Sequence, residues 1–336
     1  MRLPFARSGR APRFSKLHGV ACIDCAIRDD AAIDLACYRR AVNIGYLARA
    51  RLAEAEAVLA ESCAYDSASV VADEKLFGPG PTSAAQAFGA WEGNDLVGIA
   101  SISSRWLRVL AVRPGARNRG IGTALLNACE TAVRADAQSR LSVLDQPGNY
   151  LAPGVDLRNV DTISWLERRG FLRGGELRSN VLINVRDNER VTAARAAESA
   201  ELAASRGYGV RRARVAERQP LLDAIAGGFG GAWPYEVERA LNHKPVAVHV
   251  AVKDGTYCAF AAHDGNNRGL GWFGPTGTLP AHRSQGLGEA LLLACLVDVA
   301  AEHEQCEVAW IGPRPFYDKV AGIASDRRFI SLARDL

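Results

Sequence analysis

One motif occurs twice in this chain, and the repeat limits what the chain can fold into. Ala111-Val112-Arg113-Pro114-Gly115-Ala116-Arg117-Asn118-Arg119-Gly120-Ile121-Gly122-Thr123 leads from an extended stretch, through a proline turn, into an apolar helix. Thr278-Leu279-Pro280-Ala281-His282-Arg283-Ser284-Gln285-Gly286-Leu287-Gly288-Glu289 repeats the order of parts. Arg283 stands 166 positions after Arg117, and Gly286 stands 166 positions after Gly120, so the copies keep register. A glycine-rich turn at a helix start gathers backbone N–H groups and lets an anion approach the main chain. The natural guest is a phosphate or pyrophosphate, and the sequence predicts two cradles for it.

Two familiar phosphate loops are excluded. A Walker loop needs Lys followed by Ser or Thr, but Ile121-Gly122 follows Gly120. A dinucleotide fingerprint puts a third glycine or alanine where Leu125 and Leu291 stand. The remaining composition sets the frame. At 336 residues the chain is long enough for two domains, each with its own core. A dispersed net charge of +4 argues against nucleic acid. The longest apolar run, after Gly288, is cut by Asp298 short of a membrane span. No segment reads as a secretory leader. The eight cysteines lie among apolar neighbours, as reduced thiols do in a cytoplasmic protein. Cys22 and Cys25 form a CxxC with no second pair or nearby histidine to complete a zinc site.

Met1 to Lys16 is basic and free of acids, the composition of a disordered arm within residues 1–19. A weak first strand is expected at Val20–Ile27, with helices at Ala31–Ala48 and Ala50–Ser62. A hairpin follows at Ala85–Trp91 and Leu96–Ser101, then a strand at Trp106–Val112 and a helix at Thr123–Arg134. Leu141–Leu144 reads as a strand. Asp145–Asp156 reads as a loop long enough to line a site, Thr162–Arg169 as a helix and Asn180–Val185 as a strand. Alanine-rich Arg190–Ser205 reads as a solvated linker helix. The second half repeats the pattern: strand Tyr208–Val215, helices Gln219–Phe229 and Pro234–Leu241, hairpin Val246–Val252 and Thr256–His263. Then come the strand ending at Thr278, the helix Glu289–Glu302, strand Glu307–Ile311, helix Arg314–Val320 and strand Phe329–Arg334. The expected fold class is α/β of mixed type in two tandem copies, each a central mixed sheet flanked by helices. The expected domains are 20–188 and 208–336, joined through 189–207.

The cradle pattern, Val-x-Pro-x-x-Arg-x-x-Gly-x-Gly before an apolar helix, resembles the coenzyme A loop of the GNAT acetyltransferase superfamily. The first copy matches in full; the second has Thr278 in place of valine. The resemblance implies acetyl-coenzyme A as acyl donor. It places cofactor contacts at Leu110, Val112, Arg117, Asn118, Arg119, Gly120, Ile121, Gly122, Thr123 and Asn159 in the first half. In the second half it places them at Thr278, Arg283, Ser284, Gln285, Gly286, Leu287, Gly288 and Glu289. Family members often carry a tyrosine in the pattern Asn-x-x-Ala-x-x-Phe-Tyr-Glu-Lys-x-Gly-Phe. Phe316-Tyr317-Asp318-Lys319 matches part of it, which makes Tyr317 the catalytic acid; the other reading is an aromatic that packs on the cofactor. Trp310 occupies the asparagine position there. In the first half Asn159 is present, but Leu166 replaces the tyrosine and can transfer no proton; Tyr150 is the alternative acid.

No base declares itself, because neither Leu107–Val112 nor Trp272–Thr278 contains a carboxylate. Glu236, His263 and Asp264 are read as surface groups able to act through a water. Trp233, Pro234 and Tyr235 are either an acceptor-facing aromatic wall or a buried helix start. The implied activity is N-acetylation of a primary amine on a small molecule, with the second half catalytic and no nucleic-acid or membrane partner. A peptide or protein acceptor is the first alternative, and a coenzyme A sensor that does not turn over is the second.

Overall fold

The structure, a computed structural model, describes residues 41–336. The basic arm, the Cys22–Cys25 pair and the expected strand Val20–Ile27 lie outside the described residues. The first half contains strand β1 (Val42–Tyr46), helices α1 (Leu52–Ser62) and α2 (Ala72–Phe77), and the hairpin β2 (Ala85–Glu92) and β3 (Asp95–Ser103). There follow β4 (Trp106–Val112), α3 (Ile121–Ala135), β5 (Arg140–Val143), the two-residue β6 (Val155–Asp156), α4 (Val160–Glu167) and β7 (Leu172–Asn184). Helix α5 (Ala193–Ala204) leads to β8 (Gly209–Arg212), α6 (Arg218–Gly228), α7 (Trp233–Leu241), and the hairpin β9 (Val248–Lys253) and β10 (Thr256–His263). The second half closes with β11 (Trp272–Thr278), α8 (Leu287–Ala300), β12 (Gln305–Val308), α9 (Arg314–Ala321) and β13 (Ser325–Asp335).

All thirteen strands of the described residues join one mixed sheet, in the order β1-β2-β3-β4-β5-β13-β7-β12-β11-β10-β9-β8, with β6 paired to β13. The centre of that order departs from the linear sequence. Strand β13 of the second half lies between β5 and β7, and β7 of the first half lies between β13 and β12. Each half thus lends a strand to the other.

Helix α3 is amphipathic. Ile121, Leu125, Leu126, Cys129 and Val133 are spaced to bury one stripe against the first sheet. Helix α8 is apolar nearly all round, because α5 covers the side that α3 leaves to solvent. Ala196 and Ala203 seat α5 on the same core as Leu291 and Leu296, so the expected solvated linker is half buried. The expected helix Ala31–Ala48 is corrected over its described part. Val42-Asn43-Ile44-Gly45-Tyr46 alternates and pairs antiparallel with β2, with Val42 and Ile44 turned to the α3 core. The alanine and leucine content of the wider window hid that short alternation.

Asp145–Asp156 is also corrected. It does not line the site of its own half as an open loop; its end forms β6, and its middle packs against the second half. Asn266 Nδ2 donates to the Tyr150 carbonyl at 2.8 Å, and Asn267 Nδ2 donates to the Leu151 carbonyl at 3.0 Å. Lys75, fully buried, donates to Glu74 (2.6 Å), Asn149 (2.8 Å) and Asn266 (2.6 Å), tying α2 to that loop and to the second half. Burial pushes the Lys75 ammonium down to about 8. Burial alone would raise the Glu74 carboxyl, but the charges of Lys75 and Arg239 hold it down at about 2.

Candidate active site

The two cradles have the same backbone. A short 3₁₀ turn, Pro114–Ala116 or Pro280–His282, leads to an extended arginine, Arg117 (φ −67°, ψ 165°) or Arg283 (φ −68°, ψ 161°). The chain then enters the left-handed region at Asn118 and Ser284, both at φ 60°. It enters it again at Gly120 (φ 83°, ψ −6°) and Gly286 (φ 84°, ψ 0°), the residues that cap α3 and α8. Neither helix start has a side-chain cap, so its orphan N–H groups are left for a ligand. A Cβ on Gly120 would enter open space, and one on Gly286 would meet only Arg206 Nη1, at 3.3 Å. These features fit a pyrophosphate.

Arg117 and Arg283 brace their cradles from within the protein. Arg117 Nε donates to the Val112 carbonyl (3.1 Å) and Arg283 Nε to the Thr278 carbonyl (3.3 Å), so each staples the cradle to the strand that feeds it. Arg119 pairs with Glu92 at 2.5 Å on the first cradle's rim. Thr123 accepts from Arg169 Nη2 at 2.7 Å, and Glu289 from Arg195 Nη2 at 3.4 Å. The second glycines bring the next helix close. A Cβ on Gly122 would lie 3.3 Å from Trp165, and one on Gly288 would lie 3.4 Å from Phe316. Trp165 and Phe316 are therefore matching residues, and so are their neighbours Leu166 and Tyr317.

Both cradle strands splay from their parallel partners. Strand β4 pairs with β5 only at Trp106–Leu107, and β11 pairs with β12 only at Trp272–Phe273. Beyond those residues, Arg108–Val112 and Gly274–Thr278 face a gap. Leu110 and Val112 lie on that open stretch of β4. The halves differ in what reaches the gap. In the second half Tyr317 on α9 is buried, with Phe316 (ring centroids 5.0 Å) and Phe273 (6.5 Å) around it. Its hydroxyl makes no hydrogen bond among the described residues. Burial pushes that phenol up to about 12, so it stays protonated at neutral pH. In the first half the equivalent Leu166 is a core residue. Asn159, at the start of α4, keeps a half-buried amide with no hydrogen bond among the described residues.

The first half's gap is closed from below. Arg108, fully buried, donates through Nε to Gln146 Oε1 and through Nη1 to the Gly78 carbonyl, both at 2.5 Å. Its Nη2 has no hydrogen-bond partner among the described residues. The loop Leu144–Asn159 supplies Gln146 and Asn149 to this seal and ends in β6. The matching connection in the second half, Ala309–Pro313, is short. A groove of about 590 Å³ remains beside it, lined by Trp310, Gly312 and Arg314 and by Glu176, Arg178 and Ser179 of β7. Arg178 lies 4.3 Å over the Trp310 ring and donates to Asp145 at 2.7 Å. Sequence patterns gave no signal for this groove, because its two walls lie more than a hundred residues apart.

Tyr150, the alternative acid of the first half, stands at the second. Its ring lies 5.7 Å from Trp310 and 6.0 Å from Trp272. Burial, with the Glu236 charge second, holds its phenol well above the ordinary range. The three possible bases are not surface groups. Glu236 is 4% exposed, and burial pushes its carboxyl up to about 7 against the pull of Lys75 and Arg239. His263 is buried, with Nδ1 2.8 Å from Asp264 and Nε2 3.4 Å from Asp298; Asp264 is half-buried. Trp233 begins α7 packed on Phe229 (5.3 Å), and Tyr235 donates to the Pro79 carbonyl at 2.8 Å. That half-buried helix start ties residues of the two halves together through Tyr235. The described residues contain no His, Cys, Asp or Glu cluster able to hold a metal and no helix long and apolar enough to cross a membrane.

The described residues thus carry the same cradle, set over a splayed pair of parallel strands, in two copies. The acetyltransferase (GNAT) family model matches residues 58–171 and again 219–322, more than half of the chain, and the chain belongs to that family as a tandem member. Among solved structures, the chain resembles the glucosamine N-acetyltransferase region of a fungal multi-domain GH3 β-N-acetylglucosaminidase. The TM-score is 0.71 at 14% identity, covering 88% of this chain and 38% of that one. It also resembles a tandem GNAT protein from the clavulanic acid biosynthesis pathway, with TM-score 0.65, 16% identity and coverage of 88% and 98%. A GCN5-related N-acetyltransferase from Sphaerobacter thermophilus gives 0.59, 15%, 88% and 95%. At these identities the likeness is one of fold. Curated protein sequences gave no match.

Proposed function

We propose that this protein transfers acetyl from acetyl-coenzyme A to the primary amine of a small molecule, with the second half (208–336) catalytic. The first half (20–188), joined through 189–207, binds cofactor without turning it over. The asymmetry of the two post-sheet connections carries this reading. One connection seals the gap beside Arg108, and the other leaves an open groove beside the helix that bears Tyr317. When bound, the cofactor supplies an acetyl thioester, which needs an amine nucleophile and a stabilised leaving thiolate.

The main-chain N–H groups from Ser284 to Glu289, opened by Gly286 and Gly288, hold the pyrophosphate, with Thr278 at the end of the splayed strand. Asn118 to Thr123 do the same in the first half, with Asn159 facing the cofactor arm. Tyr317 donates its hydroxyl hydrogen toward the departing sulfur. Glu236, poised near neutral pH, is the nearest fit for a group that takes a proton from an acceptor ammonium.

Gly286→Val and Gly120→Val test the division. Each puts a β-branched residue at a left-handed φ and a side chain where the phosphate sits. The expected outcome is loss of one coenzyme A site in each variant by titration calorimetry, with acetyl-dependent thiol release lost only in Gly286→Val. Loss of turnover in Gly120→Val with the second site still saturable assigns catalysis to the first half.

A further inference from the structure

The acceptor groove has an internal counterpart. Trp106 faces Ser142, and Trp272 faces Glu307, so Ser142 and Glu307 hold matching places in the two halves. Ala333 on β13 lies opposite Ser142, and Leu182 on β7 lies opposite Glu307. Counting five residues back along each strand gives Arg328 and Leu177. Both lie beyond the end of the neighbouring strand, with their main chain turned toward the gap.

For β7 the direction follows from its bonds. Ile311 N–H donates to the Ser179 carbonyl at 2.8 Å, so the odd-numbered residues of this stretch face the groove. On β13 the edge is occupied by the chain's own loop. Val155 pairs with Ile330, and Leu157 N–H donates to the Arg328 carbonyl at 2.9 Å. On β7 the short connection reaches Ser179 and turns away at Trp310 (φ 46°). The N–H and C=O of Leu177 then have no partner on that side among the described residues. An unpaired strand edge at a site is a template for another extended backbone.

Resting on the transferase reading above, we infer that the amine acceptor carries a secondary amide, which pairs in extended form with the main chain of Leu177. It occupies the place that residues 155–157 take on β13. The acceptor N–H donates to the Leu177 carbonyl, as Leu157 does to Arg328, and the acceptor carbonyl accepts from the Leu177 N–H. Glu176, exposed and without an ion-pair partner among the described residues, draws in a cationic amine beside that edge. Arg178 and Arg314 are already engaged with Asp145 and Asp326. The groove volume suits an aminoacyl amide of about dipeptide size and is too small for a folded chain.

The test uses the full-length protein with acetyl-coenzyme A and matched aminoacyl N-methylamides and N,N-dimethylamides. The second methyl removes only the acceptor N–H. Secondary amides are expected to give kcat/KM about 3- to 10-fold higher, chiefly through KM, the size of one net hydrogen bond. Leu177→Pro removes an N–H that faces the groove rather than the β13 ladder. It should lower kcat/KM for secondary amides by a similar factor and shrink the secondary-over-tertiary preference toward one. If that variant does not fold, the comparison on the unmodified protein decides alone. Equal rates for secondary and tertiary amides overturn the edge pairing and leave the transferase standing. No thiol release with any amine overturns the transferase reading, and this inference with it.

Discussion

Replacing Tyr317 by Phe removes one hydroxyl and keeps the ring among Phe273 and Phe316. The magnitude follows from two acidities. Burial holds the phenol at about 12, whereas a thiol titrates near ~8.5. Full proton transfer from phenol to thiolate is therefore uphill by about 3.5 pK units, or about 5 kcal/mol. The hydroxyl accordingly acts as a hydrogen-bond donor to the sulfur as charge develops there. A hydrogen bond to a charged group is worth about 1.5–3 kcal/mol, which corresponds to roughly 10- to 150-fold in rate. That lies at or below the lower end of general-acid contributions. The loss should fall on kcat in a thiol-release assay, with coenzyme A affinity by calorimetry unchanged. A variant with unaltered kcat reduces Tyr317 to packing and refutes the argument. One that fails to bind cofactor makes the hydroxyl a ligand contact instead.

Two further outcomes follow from the buried charges. Glu236 titrates near 7 when folded and near 4.5 otherwise, so the fold favours its neutral form and wild-type stability falls as pH rises from about 4.5 to about 7. Glu236→Gln should remove that slope, gaining relative to wild type by up to about 3 kcal/mol above pH 7; urea midpoints that stay parallel from pH 4.5 to 8 contradict the assignment. Lys75→Met leaves Glu74, Asn149 and Asn266 without their shared donor and should cost about 3–5 kcal/mol in urea unfolding. A loss under 1 kcal/mol would mean that the cluster rearranges.

What the sequence made legible is local. The cradles were readable because a proline turn, an arginine staple and two glycines lie within ten residues and recur in register. The hairpins were readable from alternation around tight turns. Helix α9 with Tyr317 was readable from a contiguous motif, and the Gly288–Phe316 approach supports the alignment behind it. The exchange of β7 and β13 was not readable, because both strands carry the same alternating pattern whichever neighbour they take. Val42–Tyr46 was lost in an alanine-rich window. The contacts of Tyr150 with Trp272 and Trp310 were not readable, because a loop's sequence does not say which sheet it crosses. Glu236 and His263 read as surface groups because polar residues usually are; their burial depends on partners distant in sequence.

The crossed strands bear on how the protein is made. The first half emerges from the ribosome first, yet its sheet then ends at β5, with β7 still lacking the neighbour that will separate them. That neighbour, β13, is synthesised after every other strand of the second half. An early-translated lobe thus waits, with an open edge, for a late-translated strand. Neither lobe can be cut out as an autonomous module without taking a strand from its sibling. A frameshift confined to the codons for Ser325–Asp335 would accordingly injure the lobe farthest from it in the gene.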